Sequence, residues 1–99
     1  GGAKGFREVA KLLGANEVEF REYLVANKIM YRLGDAWAAY QNHADAGRFV
    51  VKTGVAARNE HAFTTTRFTP KGVEWIAGLW GKRSAQLAQV GEARHEYID

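Results

Sequence analysis

Between Arg48 and Lys71 the chain carries Arg48, Lys52, Arg58, Arg67 and Lys71 against one carboxylate, Glu60, with His61 beside it. Cationic side chains at this density do one kind of chemistry well: they hold phosphate oxygens, arginine through a planar fork and lysine as a point charge. The balance reverses from Asn16 to Lys28, where Glu17, Glu19 and Glu22 outnumber Arg21 and Lys28. Bond-making chemistry finds little material. Cysteine is absent, Ser84 is the only serine, and His43, His61 and His95 are far apart in sequence, so neither a thiolate metal site nor a nucleophile with its base is suggested. His43 near Asp45 is a weak acid–base suggestion on a turn, and neither paired carboxylates nor a glycine-rich phosphate loop stands in a plausible frame. The expectation is a binding protein that is not an enzyme, with no catalytic residues, no metal and no cofactor.

These side chains need elements to position them. Phe6, Val9, Ala10 and Leu13 fall at i, i+3, i+4 and i+7, which predicts a first helix over about 5 to 13, stopped by Gly14. Asn16 can cap a second helix, with Glu17 and Glu19 in its first turn and Phe20, Tyr23 and Leu24 on its buried face, running to about Ala26. IMYRLGDAWAAYQ predicts a small hairpin turning at Gly34-Asp35, and NHADAG a single helical turn ended by Gly47. RFVVK alternates as a half-buried strand, with Phe49 and Val51 on one face and Arg48, Val50 and Lys52 on the other, and AFTTTRF is its β-branched partner. TGVAARNEH between them is too long for a tight turn and predicts a protruding loop that bears Arg58 and His61. Thr69 and Pro70 start a last helix, whose stripe is Val73, Ile76, Ala77 and Trp80. Gly78 and Gly81 predict a break near Gly81, with SAQLAQV folding back to cover Trp75 and Leu79 and the chain fraying after Val90.

Ninety-nine residues with 46% hydrophobic side chains suit one domain. Gly1-Gly2 and a lone internal Met30 suggest a piece of a longer protein, and predict a disordered leader or cloning remnant over 1–4, a domain over 5–81 and a helical extension with a frayed tail over 82–99. A net charge of +3 is compatible with a polyanionic partner. No apolar run is long enough to span a membrane, and the lack of cysteine fits a cytoplasmic setting.

The predicted order is that of an α+β fold, a winged helix-turn-helix whose long loop is the wing. The chain also resembles the C-terminal domain of phage antirepressors, the KilA-C family, through VAKLLG with FREYLVANKIMYR, through WAAYQNHADAGRFVVK and most specifically through TRFTPKGVEWI. The resemblance covers about residues 5 to 81. It implies a DNA-binding winged helix of a transcription regulator that relieves repression of phage lytic genes in a bacterial host cell. Family members tend to carry neutral or basic residues on the outward face of the second helix, where this chain has Glu17, Glu19 and Glu22.

The leading expectation is therefore double-stranded DNA bound through Lys52, Arg58, His61, Arg67 and Lys71, with Arg21 and Lys28 adding contacts from the second helix. The bland alternative is a loop charged only for solubility. An alternative function is a protein-interaction module that docks a phage repressor or a second subunit, as in a homo-oligomer, through Glu17, Glu19 and Glu22 and the Trp75 and Leu79 face.

Overall fold

The first three helices all end on the same backbone device, which sets the direction of the chain at each corner. The structure, a computed structural model, describes residues 2–55 and 62–98. Helix α1 (Phe6–Leu12) closes where Gly14 turns left-handed at φ 64° and the Ala15 N–H reaches back to the Ala10 carbonyl at 2.8 Å. The Asn16 side chain then accepts the Glu19 N–H at 3.1 Å and caps α2 (Glu17–Ala26). An equivalent bond from Ile29 to Leu24, 2.9 Å, ends α2, but here the left-handed residue is Lys28, at φ 54°. Strands β1 (Met30–Leu33) and β2 (Ala36–Ala39) pair antiparallel about Gly34-Asp35, with Gly34 at φ 62°. Positive φ at the first turn residue alone is the type II′ pattern, whose twist suits a hairpin.

Helix α3 (Gln41–Asp45) closes on Gly47 at φ 80° and delivers the chain to β3 (Phe49–Val55). Its antiparallel partner β4 (Ala62–Phe68) is in register from Phe49 opposite Phe68 to Val55 opposite Ala62. Thr69 then caps α4 (Pro70–Ile98), its hydroxyl accepting the Gly72 N–H at 3.0 Å and donating to the Gly47 carbonyl at 2.6 Å. The described residues thus form an α+β fold of four helices and two antiparallel hairpins, and none of these helices is long and apolar enough to cross a membrane.

Phe20 of α2 is the centre of the core. Its ring stacks on Phe6 at 5.3 Å and meets the edge of Trp80 at 5.4 Å, with Phe68 at 6.2 Å and Phe49 tilted behind Phe68 at 4.7 Å. Further core residues come from four elements: Val9 and Ala10 from α1, Leu24 from α2, Met30 from β1 and Ile76 from α4. Burying a large aromatic side chain supplies about 2–3 kcal/mol, so this cluster is the main reason the hairpins and helices hold one arrangement.

Several expectations need correction. Lys4, predicted to lie in a disordered leader, exchanges two 2.8 Å main-chain hydrogen bonds with Phe68 and lines the edge of β4. The strand predicted to stop at Lys52 runs on to Val55. Val51 shares the face of buried Phe49 but is 60% exposed, because the hairpin has left the core by that point. Finally, α4 passes through Gly81 without a break and continues beyond Val90 to Ile98. SAQLAQV therefore does not fold back, and Leu87 and Val90 stand exposed.

Candidate nucleic-acid interface

Antiparallel pairing puts cross-strand partners on one side of the ribbon. In the β3–β4 hairpin, Phe49/Phe68, Val51/Thr66 and Thr53/Thr64 occupy one side, and Val50/Arg67, Lys52/Thr65 and Gly54/Phe63 the other. The Thr69 N–H bonds the Arg48 carbonyl at 3.0 Å, so the second row begins at Arg48. Arg48, Arg67 and Lys52 therefore follow one another along the side that does not face the core. Ion pairs among the described residues join Lys4 to Glu8 and Arg7 to Glu17, and none neutralises these three cations.

The three differ in how they are held. Lys52 is exposed. Arg67 is half-buried, and its Nε, like that of Arg48, is enclosed without a hydrogen-bond partner. The Arg48 guanidinium lies over the Trp75 ring, Cζ 4.3 Å from its centroid, and one terminal nitrogen meets His43 Nδ1 at 2.9 Å. The His43 ring packs on Trp75 at 4.9 Å. Burial holds the His43 pKa below its ordinary value and the Arg48 charge adds to this, while a hydrogen bond to the Lys28 main chain opposes them. A neutral ring is what this contact needs, since the Arg48 guanidinium can only donate and Nδ1 must accept.

The remaining predicted positions are dispersed. Lys71 donates to the Ala46 carbonyl at 2.6 Å, so with Thr69 it satisfies the exposed carbonyl end of α3. Arg21 does not join the Arg48–Lys52 row. Its guanidinium lies over Phe6 and Trp37, at 5.3 and 5.8 Å, and Arg32 approaches the same Trp37 ring at 5.6 Å. This second cationic cluster borders a cleft of about 250 Å³ between Trp37 and the Thr64–Thr66 stretch of β4. Lys28 is exposed at the end of α2. Arg58 and His61 lie outside the described residues.

On α2, Glu17 pairs with Arg7 at 3.5 Å, and Glu19 and Glu22 are exposed. Trp75 and Leu79, expected to need cover from the chain end, are both half-buried. Trp75 is covered by Arg48 and His43, and Leu79 packs on the core.

Arg48 and Arg32 were not among the positions expected to bind, and neither was Phe63, which is 50% exposed opposite Gly54. The alternation of RFVVK already places Arg48 with Lys52; nothing in the sequence announces that Trp75 lies beneath the Arg48 guanidinium. Neither the curated proteins nor the solved structures contain a match to this chain. A family model does match, over residues 1–83, which takes in the core and the hairpin face just described: the chain belongs to the family described as the phage antirepressor protein KilAC domain.

Proposed function

We propose that this chain is the DNA-binding winged helix-turn-helix of a phage antirepressor-like regulator of transcription, with the β3–β4 hairpin as its wing. Membership of a regulatory, non-enzymatic family supplies the setting. The observation that carries the reading is the row of Arg48, Arg67 and Lys52 on the outward side of the hairpin, without a carboxylate partner among the described residues. An unneutralised row of cations along a ribbon matches a phosphate backbone in charge and in linear form. Arg58, between β3 and β4 in sequence, would extend it, and Lys28 would add a cation at the end of α2. The three acidic residues of α2 argue for backbone contact led by the wing over base reading by that helix, because carboxylates repel the phosphates on either side of a groove.

The test is fluorescence anisotropy of a labelled random duplex titrated at two salt concentrations, with the wild-type chain and with Lys52, Arg58 and Arg67 all replaced by alanine. The three cations replaced account for about 3 units of log–log salt slope, at roughly −0.9 per phosphate. The variant should lose most of that slope while its circular dichroism stays unchanged. Binding that survives intact in the folded variant would remove the wing from this role, and no binding at low salt would remove DNA as the ligand.

A second reading has its own observation. Val18 and Val25, 56% and 46% exposed, flank Glu22 on the outward side of α2. An apolar stripe centred on a carboxylate suits a basic protein partner such as a phage repressor, or a second copy of the chain. Glu22→Lys should abolish co-elution with that partner; an unchanged complex would exclude this surface.

A further inference from the structure

Phosphate binding leaves the exposed Phe63 ring of the hairpin unused. It is 50% exposed and sits opposite Gly54, where a Cβ would meet the ring Cζ at 2.7 Å. The ring therefore lies across the glycine in space that no other residue would leave, while the rest of its surface is open to solvent. Covering a strand glycine with an aromatic ring stabilises a sheet. What sets this ring apart is its company: Lys52 and then Arg67 follow it on the same side of the ribbon, and the ring is one pair short of the last pair before the connecting loop, Val55/Ala62.

We propose that Phe63 is an apolar wedge that enters the minor groove of duplex DNA while Lys52 and Arg67 hold the phosphates at its rim. This rests on the wing reading above and adds to it a groove and a contact residue. A phenyl ring has no hydrogen-bonding group with which to read base edges, so its available partners are sugars, base faces and methyl groups. Apolar wedges flanked by cations are the pattern by which proteins open minor-groove steps.

The experiment compares three duplexes of one sequence: the parent, a version with inosine for guanine, and a version with uracil for thymine. Inosine removes the amino group that obstructs the minor groove and leaves the major groove unchanged; uracil removes the methyl group from the major groove alone. Wild-type protein should bind the inosine duplex several-fold more tightly than the parent and be indifferent to uracil. Phe63→Ala should lose that preference and bind the parent about ten-fold more weakly, as expected for loss of one stacked base, with its salt slope unchanged. Phe63→Thr keeps a β-branched strand former opposite Gly54 and repeats the comparison should alanine loosen the hairpin; it too should lose the preference.

If both variants keep wild-type affinity and preference while Lys52→Ala with Arg67→Ala weakens binding, the wedge is wrong and the wing reading stands. A uracil effect that disappears in Phe63→Ala would move the ring to the major groove and overturn the groove assignment. Absence of any DNA binding by the wild-type chain would overturn both.

Discussion

Lys28 holds a left-handed backbone at φ 54°, a conformation that costs a side-chain-bearing residue about 1–2 kcal/mol and glycine almost nothing. It is forced there by its neighbours: Leu24 and Ile29 are both nearly fully buried and must meet across the end of α2. That is why Gly14 and Gly47 were legible as helix stops and Lys28 was not, since the conformation here is dictated by packing and not by residue type. Lys28→Gly should stabilise the fold by about 0.5–1 kcal/mol, after allowing for the greater freedom of glycine in the unfolded chain, and chemical denaturation would read it. If Lys28 contributes charge to DNA binding, the same variant should bind more weakly, so that stability and affinity move in opposite directions. A second residue-scale consequence concerns His43, whose pKa in the fold lies below the ordinary 6.5. As pH falls through 6.5 the unfolded chain takes up the proton first, so stability is lost from there down through the folded pKa. In His43→Gln, which can still accept from Arg48, the stability change between pH 7.5 and 5.5 should be smaller; an equal change would mean that other groups set the acid sensitivity.

At the scale of elements, α4 is the part whose start was readable and whose course was not. Thr69 and Pro70 announce an N-cap and first turn, and the Thr69 hydroxyl does accept the Gly72 N–H. Gly78 and Gly81 weaken a helix without interrupting its hydrogen bonds, and neither needs left-handed backbone, so the predicted break is absent. The meaning of Gly72 also emerges only in three dimensions. It is buried in the first turn of α4, and a Cβ there would fall inside contact distance of the Arg48 carbonyl oxygen. That close approach lets α4 lean on the start of β3, bringing Trp75 under the Arg48 guanidinium and Lys71 to the end of α3. Gly72→Ala must push α4 off β3, at a cost of about 1–3 kcal/mol for an overpacked contact. The near-ultraviolet dichroism of Trp75 should weaken with it. A fully stable variant with unchanged tryptophan signals would show that the helix can shift without consequence. Likewise, the extra length of β3 depends on Gly54 lying beneath Phe63, a relation that only the register reveals.

The whole molecule is longer than its core requires. Its largest dimension is 62 Å against 26 and 23 Å for the others, and a 29-residue helix accounts for about 43 Å of that at 1.5 Å per residue. The last core residue on α4 is Trp80, with the Arg83 guanidinium 4.3 Å above its ring, and the family model also ends at residue 83. Two independent boundaries thus coincide, one set by packing and one by family membership. A chain ending at Arg83 should keep the Phe6–Phe20–Trp80 cluster intact and unfold within a few degrees of the 99-residue chain. It should also gain positive charge: residues 84–99 carry Glu92, Glu96 and Asp99 against Arg94, so their removal raises the formal net charge from +3 to +5. Under the wing reading the shortened chain binds duplex DNA more tightly at low salt, through the added long-range attraction, and this advantage fades as salt shortens the screening length. Thermal unfolding and a salt series of anisotropy titrations on the two chains check both halves. A large drop in stability would mean that the projecting part of α4 carries folding energy the core does not. Weaker DNA binding by an equally stable short chain would instead place part of the interface on that helix.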